Sequence, residues 1–266
     1  MAPITLSTDL GYQDPSVGMV KGVLLQYAPE SPLIDLTHDL RADYYPAAAY
    51  VIERAYRHFP RGTVHLILFD IFANAKPRLL HATREGFHFL FPDNGLLPMA
   101  FKEGLEDCRV CYEPEHPVRF QQWVQKAASV CRRIFDGEIP ASVPESERVA
   151  ARSRLVSSHP SIPVPSVDCS VIYVDHFGNV VLDITRPQFE AIANGRAFRI
   201  GFRGTEEITE ILDNYYEVGP NDKICRFNQT GHLEIALRNA NASQLLGMRL
   251  YKQEHLLYRH IKIFFS

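Results

Sequence analysis

Several features that mark nucleic-acid-binding or membrane proteins are missing from this sequence. The formal net charge is −3 and no block of lysine and arginine occurs, so nothing predicts an electrostatic surface for nucleic acid. No apolar stretch approaches the roughly 20 residues that a membrane-spanning helix needs, and the first residues lack the basic and apolar regions of a signal peptide. We therefore expect a protein that binds neither nucleic acid nor membrane.

Cysteine is also scarce, and its count of five is odd for a disulfide framework. We therefore expect a reduced, cytoplasmic setting. Cys108 and Cys111 form a C-x-x-C pair with no second pair, so a zinc site would need Cys131 or a histidine. A position of this pair on or near a strand is the simpler interpretation. Neither a Walker loop nor G-x-G-x-x-G occurs, and we predict no metal and no nucleotide site of those kinds.

The first half of the chain contains alternating strand and helix patterns. Helices are predicted to begin at Ser16, to run over 47–59 with Pro46 in the first turn, and to lie within 120–135. Between them, short runs of apolar residues predict strands at 3–10, 32–36, 63–69 and 87–91. This order predicts an α/β domain with a mainly parallel sheet and helices on its faces.

A proline-rich stretch divides the chain. Three prolines fall within residues 160–165, where they exclude a regular helix and stiffen the connection. After it, short strand patterns separated by Gly, Asn and Pro are typical of a small antiparallel barrel or sandwich; they lie at 169–174, 180–184, 197–202, 223–227 and 232–237. We predict an α/β domain over 1–156, a linker over 157–168 and a β domain over 169–266.

Candidate binding residues lie in a polar segment at 7–16. Asp9 stands at the C-terminal end of the first predicted strand, where a carboxylate can accept hydrogen bonds from two vicinal hydroxyls of a ribose. Asp14 and Ser16 follow at the start of the next helix. The simpler interpretation is that Asp14 or Ser16 caps this helix and that Asp9 orders the turn.

A second polar segment, Asp-His-Phe-Gly-Asn, occupies 175–179. It is typical of a hairpin turn, because Gly178 and Asn179 both suit a positive φ. A rigid turn is also a good platform for a ligand, so the structural and the binding interpretations are compatible.

Together the two segments resemble the ligand-binding signatures of the S-adenosylmethionine hydroxide adenosyltransferase family, which is related to fluorinases and chlorinases. The pattern Asp-Leu-Gly-x-x-Asp-x-Ser, which begins at Asp9, matches the fluorinase-like motif at each fixed position. The turn at 175–179 looks like the family's Asp-x-Phe-Gly-Asn turn. Further similarity lies at 20–22, 37–38, 59–65, 92–97 and 231–236.

The resemblance implies six substrate-binding residues. They would hold the ribose hydroxyls, the methionine part of the ligand, and adenine with its surrounding pocket. Asp9 would bind the ribose hydroxyls. Asp14, Ser16 and Asp175 would contact the methionine part. Phe177 would line the pocket, and Asn179 would recognise adenine.

The region after the strand at 63–69 departs from the family pattern. Hydrolytic members carry there an Asp, a glycine-rich loop and an Arg, and later a Phe-His-Gly-Arg-Asp segment; the Asp, Arg and His are thought to activate water. Asp70 and Arg78 stand at the first two positions, but the sequence at 119–123 lacks the His. The two glutamines in this segment, Gln121 and Gln122, can orient water but cannot act as a general base. Ala73 replaces a Thr of the fluorinase halide pocket.

The resemblance therefore predicts hydrolysis of S-adenosylmethionine to adenosine and methionine by substitution at the ribose 5′ carbon. Asp70 and Arg78 would be catalytic, and S-adenosylmethionine would be the substrate, with no cofactor. One alternative is a catalytically impaired protein that binds nucleoside or S-adenosylmethionine, and another is a structural subunit with an unused pocket. The family also implies a homotrimer with sites between the N-terminal domain of one subunit and the C-terminal domain of the next.

Overall fold

The structure is a computed structural model that describes residues 1–101, 105–138, 166–202, 207–248 and 260–266. It divides into two compact units, Met1–Ser153 and Arg154–Ser266. Of the linker predicted at 157–168, residues 157–165 lie outside the described residues, and residues 166–168 belong to the first strand of the second unit.

The described part of the first unit contains one six-stranded sheet with helices around it. Its elements are β1 (Ile4–Thr8), α1 (Ser16–Tyr27), β2 (Leu33–Thr37), α2 (Tyr45–Ala55), β3 (Val64–Leu68), β4 (Leu79–Arg84), β5 (Phe87–Pro92), α3 (Leu96–Ala100), β6 (Glu106–Tyr112) and α4 (Phe120–Phe135). The strand order is β2-β1-β3-β5-β4-β6. Pairs β1–β2, β1–β3 and β3–β5 are parallel, while β4 is antiparallel to β5 and β6. The predicted mainly parallel α/β domain is confirmed.

Two hydrophobic clusters cover the two faces of this sheet. In β3, Leu66 packs with side chains of α1 and α4, whereas its neighbour Ile67 packs with side chains of α2 and α3. Because both faces are covered, all five residues of β1 and of β3 are buried, including polar ones such as Thr5 and His65.

Some elements of the first unit were not predicted. Strands β4 and β6 and the short helix α3 are additional, and β6 carries Cys108 and Cys111, which confirms the simpler interpretation of that pair. Helix α2 has its proline in the first turn as predicted, but it begins at Tyr45 and ends at Ala55. A short 3₁₀ turn, Tyr56–His58, continues it.

The second unit is all-antiparallel in its described sheet. Its elements are β7 (Ser166–Val174), β8 (Val180–Thr185), α5 (Arg186–Ala193), β9 (Phe198–Gly201), β10 (Glu207–Ile208), β11 (Lys223–Phe227), β12 (His232–Leu237), α6 (Ala242–Leu245) and β13 (His260–Phe265). The order is β10-β9-β13-β7-β8-β12-β11. Its nearly closed, barrel-like shape confirms the predicted β domain. Helix α5 and strand β13 were not predicted, and β13 joins β9 to β7 in the middle of the sheet.

Candidate ligand-binding site

Two aspartates meet where the parallel strands β1 and β3 end. Asp9 follows β1, and its Oδ2 accepts a hydrogen bond of 2.7 Å from the backbone N–H of Asp70, which follows β3. Burial raises the pKa of Asp9, hydrogen bonds from backbone N–H groups oppose this shift, and the charge of Asp70 adds to it. The sheet therefore brings the predicted ribose-binding and catalytic carboxylates together at its carboxyl edge.

The backbone at Asp70 is held in an unusual conformation. Its φ is +42°, in the left-handed region that favours glycine. The amide of Asn94 donates to the carbonyl oxygens of Phe69 and Asp70, at 2.8 and 3.4 Å. The hydroxyl of Tyr45 donates to Asp70 Oδ2 at 2.6 Å. Hydrogen bonds from the surrounding side chains thus stabilise a backbone conformation that an aspartate rarely adopts.

A polar network that runs from buried Thr8 and His38 to the exposed Lys21–Asp35 pair supports the segment that carries Asp9. Leu10 N–H donates to Thr8 Oγ1 at 3.2 Å, and the Thr8 hydroxyl lies 2.9 Å from His38 Nδ1. The other ring nitrogen of His38 lies 3.1 Å from Asp35 Oδ1, and Lys21 Nζ donates to Asp35 Oδ2 at 2.6 Å. In the sequence, Lys21 and His38 stand out only because they lie in segments similar to the family. Their spatial connection to the segment after β1 was not predicted.

Asp14 and Ser16 lie at the start of α1. Asp14 is exposed, and its Oδ1 accepts a hydrogen bond of 2.8 Å from Ser16 N–H, at the first residue of the helix. Hydrogen bonds from the side chain and backbone of Ser16 lower the pKa of Asp14. The N-cap is Pro15, so neither Asp14 nor Ser16 caps the helix as the simpler interpretation predicts, although Asp14 does accept from the first helical N–H. The binding role of both residues stays a prediction.

Arg78 is engaged with Asp93, a carboxylate beside the end of β5. Arg78 Nε donates to Asp93 Oδ2 at 3.0 Å, and a terminal guanidinium nitrogen contacts the same oxygen. The carboxylate of Asp93 is buried, and Glu113 approaches the guanidinium to 4.0 Å. The guanidinium predicted to be catalytic is thus held by an ion pair with a buried carboxylate.

The segment at 119–123, where the family places a histidine, has structural roles here. The side chain of Gln122 accepts a hydrogen bond of 3.0 Å from Arg119 N–H and so caps α4. Trp123 is fully buried, and its Nε1 donates to the carbonyl of Pro77 at 3.0 Å. This bond anchors the chain one residue before Arg78.

In the second unit, Asp175 organises the turn between β7 and β8. Its Oδ1 accepts hydrogen bonds from the N–H groups of Phe177 and Asn179, at 2.9 and 2.8 Å. Gly178 has a φ of +83°, as predicted, and a Cβ there would overlap the side chain of Asn241. The positive φ predicted at Asn179 is wrong, because the bonds to Asp175 hold it where β8 begins. The Phe177 ring is 75% exposed and thus open to a ligand.

Within the second unit, a chain of hydrogen bonds connects Asn179 to Tyr215 and Glu234. Asn179 Nδ2 donates to Asp175 Oδ2 at 2.9 Å and to Tyr215 Oη at 3.4 Å. The Tyr215 hydroxyl donates to Glu234 Oε1 at 2.5 Å, and burial and then this carboxylate raise the pKa of Tyr215. The Arg226 guanidinium lies over the Tyr215 ring, 4.8 Å from its centroid. Because the Tyr215 hydroxyl donates its hydrogen bond to Glu234, it can only accept one from Asn179. The Asn179 NH₂ group must therefore face Tyr215, which sets the orientation of the amide.

The described ranges contain neither a cluster of metal ligands nor a helix that could span a membrane. There, no group of three or more His, Cys, Asp or Glu side chains is arranged to hold a metal ion. No helix in the same ranges is both long and apolar enough to cross a membrane.

Two family models match the two halves of this architecture. The SAM hydroxide adenosyltransferase N-terminal domain matches residues 4–137, and the C-terminal domain of the same family matches residues 169–254. The chain therefore belongs to the S-adenosylmethionine hydroxide adenosyltransferase family.

Individual relatives extend over most of the chain. The (R)-S-adenosyl-L-methionine hydrolase of Methanocaldococcus jannaschii is 25% identical, over 96% of this chain and 95% of its own length. The hydrolase of the same name from Thermus thermophilus is 24% identical, over 94% and 97%. A fluorinase of Nocardia brasiliensis is 24% identical, over 72% of this chain and 74% of its own.

Solved structures share the fold. An uncharacterized conserved protein from Thermotoga maritima superposes with a TM-score of 0.79 at 23% identity, covering 98% of this chain and 99% of that one. A conserved hypothetical protein from Thermus thermophilus gives a TM-score of 0.71 at 22% identity, with both chains covered completely.

Proposed function

We propose that this protein hydrolyses S-adenosylmethionine to adenosine and methionine by substitution at the ribose 5′ carbon. The observation that carries this proposal is the pairing of Asp9 with Asp70 at the carboxyl edge of the parallel sheet, a usual place for ligands in such folds. Family membership and the names of the relatives support the same reaction.

The two aspartates would have different roles. Asp9 would accept hydrogen bonds from the ribose hydroxyls, while Asp70 would orient the attacking water. The positive charge on sulfur disappears in the transition state, so carboxylates near it favour the bound substrate more than the step itself. The rate must come from aligning and desolvating a water or hydroxide in line with the breaking C–S bond. Arg78, placed by Asp93, would assist this alignment.

The remaining predicted contacts would bind the two ends of the substrate. Asp14, Ser16 and Asp175 would hold the methionine part, and Phe177 would line the pocket. Asn179 would recognise adenine: its Nδ2 is directed at Asp175 and at Tyr215, so its Oδ1 is the atom available to accept from an exocyclic amine. We propose no metal and no cofactor for this reaction.

The direct test is incubation of the purified protein with each sulfonium epimer separately, because the relatives' name specifies the R configuration. We expect adenosine and methionine in equal amounts, and in ¹⁸O-labelled water one label in the adenosine 5′-hydroxyl. Asp70→Asn should lower the rate while retaining binding, whereas Asp9→Asn should weaken binding. No adenosine above the uncatalysed background would refute the hydrolase proposal.

A second candidate is a protein that binds nucleoside or S-adenosylmethionine without turning it over. It is favoured by one observation, the use of Gln122 and Trp123 as helix cap and anchor where the family places its histidine. Calorimetry with adenosine and with S-adenosylmethionine separates the candidates. Binding without product supports the second, and absence of binding contradicts both.

We also propose a cytoplasmic homotrimer whose ligand contacts come from the first unit of one subunit and the second unit of the next. Family resemblance supports the trimer, and five free thiols agree with a reducing compartment. Light scattering tests the mass. Subunits of Asp9→Ala and Asn179→Ala, dissociated and reassociated together, should recover some binding; no recovery in a confirmed mixed oligomer would place each site within one chain.

A further inference from the structure

We propose that Tyr45 is a positioning residue for Asp70, an inference that rests on the proposed hydrolysis. Tyr45 is the first residue of α2 and is buried, with 6% of its surface exposed. Its hydroxyl donates a 2.6 Å hydrogen bond to Asp70 Oδ2. No pattern in the sequence connected these two residues, which are 25 positions apart.

Three hydrogen bonds constrain Asp70 from different directions. Its N–H donates to Asp9 Oδ2, its carbonyl accepts from the amide of Asn94, and its Oδ2 accepts from Tyr45. Within the ranges that the structure describes, Asp70 Oδ1 has no hydrogen-bond partner. The carboxylate therefore has one oxygen fixed by the protein and one oxygen available to a water molecule.

The position of the Tyr45 hydroxyl is set by the core rather than by a ligand. The Tyr45 ring packs edge-on against Phe69, with centroids 5.0 Å apart, and α2 belongs to the hydrophobic cluster on that face of the sheet. A buried phenol needs a partner for its proton, and a carboxylate is a strong acceptor. Tyr45 can thus hold Asp70 in the same orientation before and after substrate binds.

This orientation suits the proposed chemistry. A water that donates to Asp70 Oδ1 attacks the 5′ carbon as the C–S bond breaks, and the bonding electron pair moves to sulfur. Sulfur becomes the neutral thioether of methionine, and the oxygen becomes the 5′-hydroxyl of adenosine. The proton lost by the water passes to Asp70, so the positive sulfonium and the negative carboxylate are both neutralised, and the proton is then released to solvent.

Tyr45→Phe removes the hydroxyl and keeps the ring against Phe69. We expect kcat to fall about tenfold, which corresponds to about 1.4 kcal/mol, while KM stays within about twofold because the substrate contacts are intact. Tyr50→Phe is the matched control: it removes a buried hydroxyl of the same helix, one that accepts from Arg54 instead.

A crystal structure of Tyr45→Phe gives a readout that does not depend on activity. We expect the Asp70 carboxylate to leave its position or to occupy more than one, with Tyr50→Phe unchanged. An active wild type combined with an unaltered kcat in Tyr45→Phe overturns the inference, and so does an Asp70 carboxylate that stays in place. A wild type that produces no adenosine refutes the proposed hydrolysis instead, and the crystal structure then decides the positioning role by itself.

Discussion

Acid should destabilise the first unit through the buried imidazole of His65, and His65→Asn should remove that part of the loss. His65 lies on β3 with 3% of its surface exposed. Its Nδ1 lies 2.7 Å from Thr5 Oγ1, and its ring stacks on Phe89 with centroids 5.1 Å apart. Within the described part of the chain, its Nε2 has no hydrogen-bond partner. Burial, followed by the charge of His88, lowers the pKa of His65 to about 4.

The sign and size of the effect follow from this shift. An ordinary histidine titrates near pH 6.5, so between pH 6.5 and 4 the unfolded chain binds more protons at this residue than the folded one. Stability from neutral His65 is therefore present above that range and is lost as the pH falls through it. Between about pH 7 and pH 5 the linkage relation gives a loss of about 2 kcal/mol in the free energy of unfolding.

Urea unfolding followed by the fluorescence of Trp123 is the appropriate assay. Trp123 is the single tryptophan and is fully buried in α4 of the same unit, so it reports on the unfolding of that unit. His65→Asn should lose about 2 kcal/mol less than the wild type between about pH 7 and 5. Part of the dependence should remain, because burial also lowers the pKa of His81 to about 4. His58→Asn, at an exposed position, is the control; a His65→Asn profile parallel to the wild type would refute the reasoning.

Two further predictions concern the second unit. Gly178→Ala should lower its free energy of unfolding by roughly 2–3 kcal/mol, because of the left-handed backbone and the clash with Asn241. Gly195→Ala, at φ +78° with open space around it, should lower it by only about 1 kcal/mol. Urea unfolding followed by circular dichroism measures both variants. Tyr215→Phe removes an acceptor of the Asn179 amide and should weaken adenosine binding about threefold to tenfold by calorimetry; unchanged affinity would contradict the orienting role.

The fold was predictable where burial leaves a simple pattern. Strand β3 was predicted from the apolar residues on either side of His65, which are all buried because both faces of the strand are covered. The observed α4 occupies the range within which a helix was predicted. Strand β4 was missed because polar residues interrupt its pattern. One of them, His81, is fully buried but has its Nε2 3.0 Å from Nδ1 of His88 on the neighbouring strand. A partner supplied by another strand cannot be inferred from local sequence.

The candidate site was predictable in its positions but less so in its contacts. Asp9 follows a recognisable buried strand, and in a parallel sheet the carboxyl ends of neighbouring strands meet, so its proximity to Asp70 follows from topology. The engagement of Arg78 with Asp93 depends on how β4 and β5 pair, and neither β4 nor that pairing was predicted. Local patterns therefore locate the residues of the site, while tertiary pairing decides which of their atoms remain available to a ligand.

The backbone conformation of Asp70 explains why its contact with Tyr45 could not be predicted from the sequence. A left-handed backbone is most easily built with glycine or asparagine, so an aspartate there costs roughly 1 kcal/mol or more and carries no signal for that conformation in the sequence. The helix predicted over 47–59 leaves Tyr45 outside it. The contact of its hydroxyl also depends on the left-handed turn at Asp70, which sets the direction of the carboxylate. Backbone geometry alone would favour glycine at this position. The side chain at position 70 is therefore best explained by its carboxylate, which bonds Tyr45 with one oxygen and, in the proposed reaction, would orient water with the other.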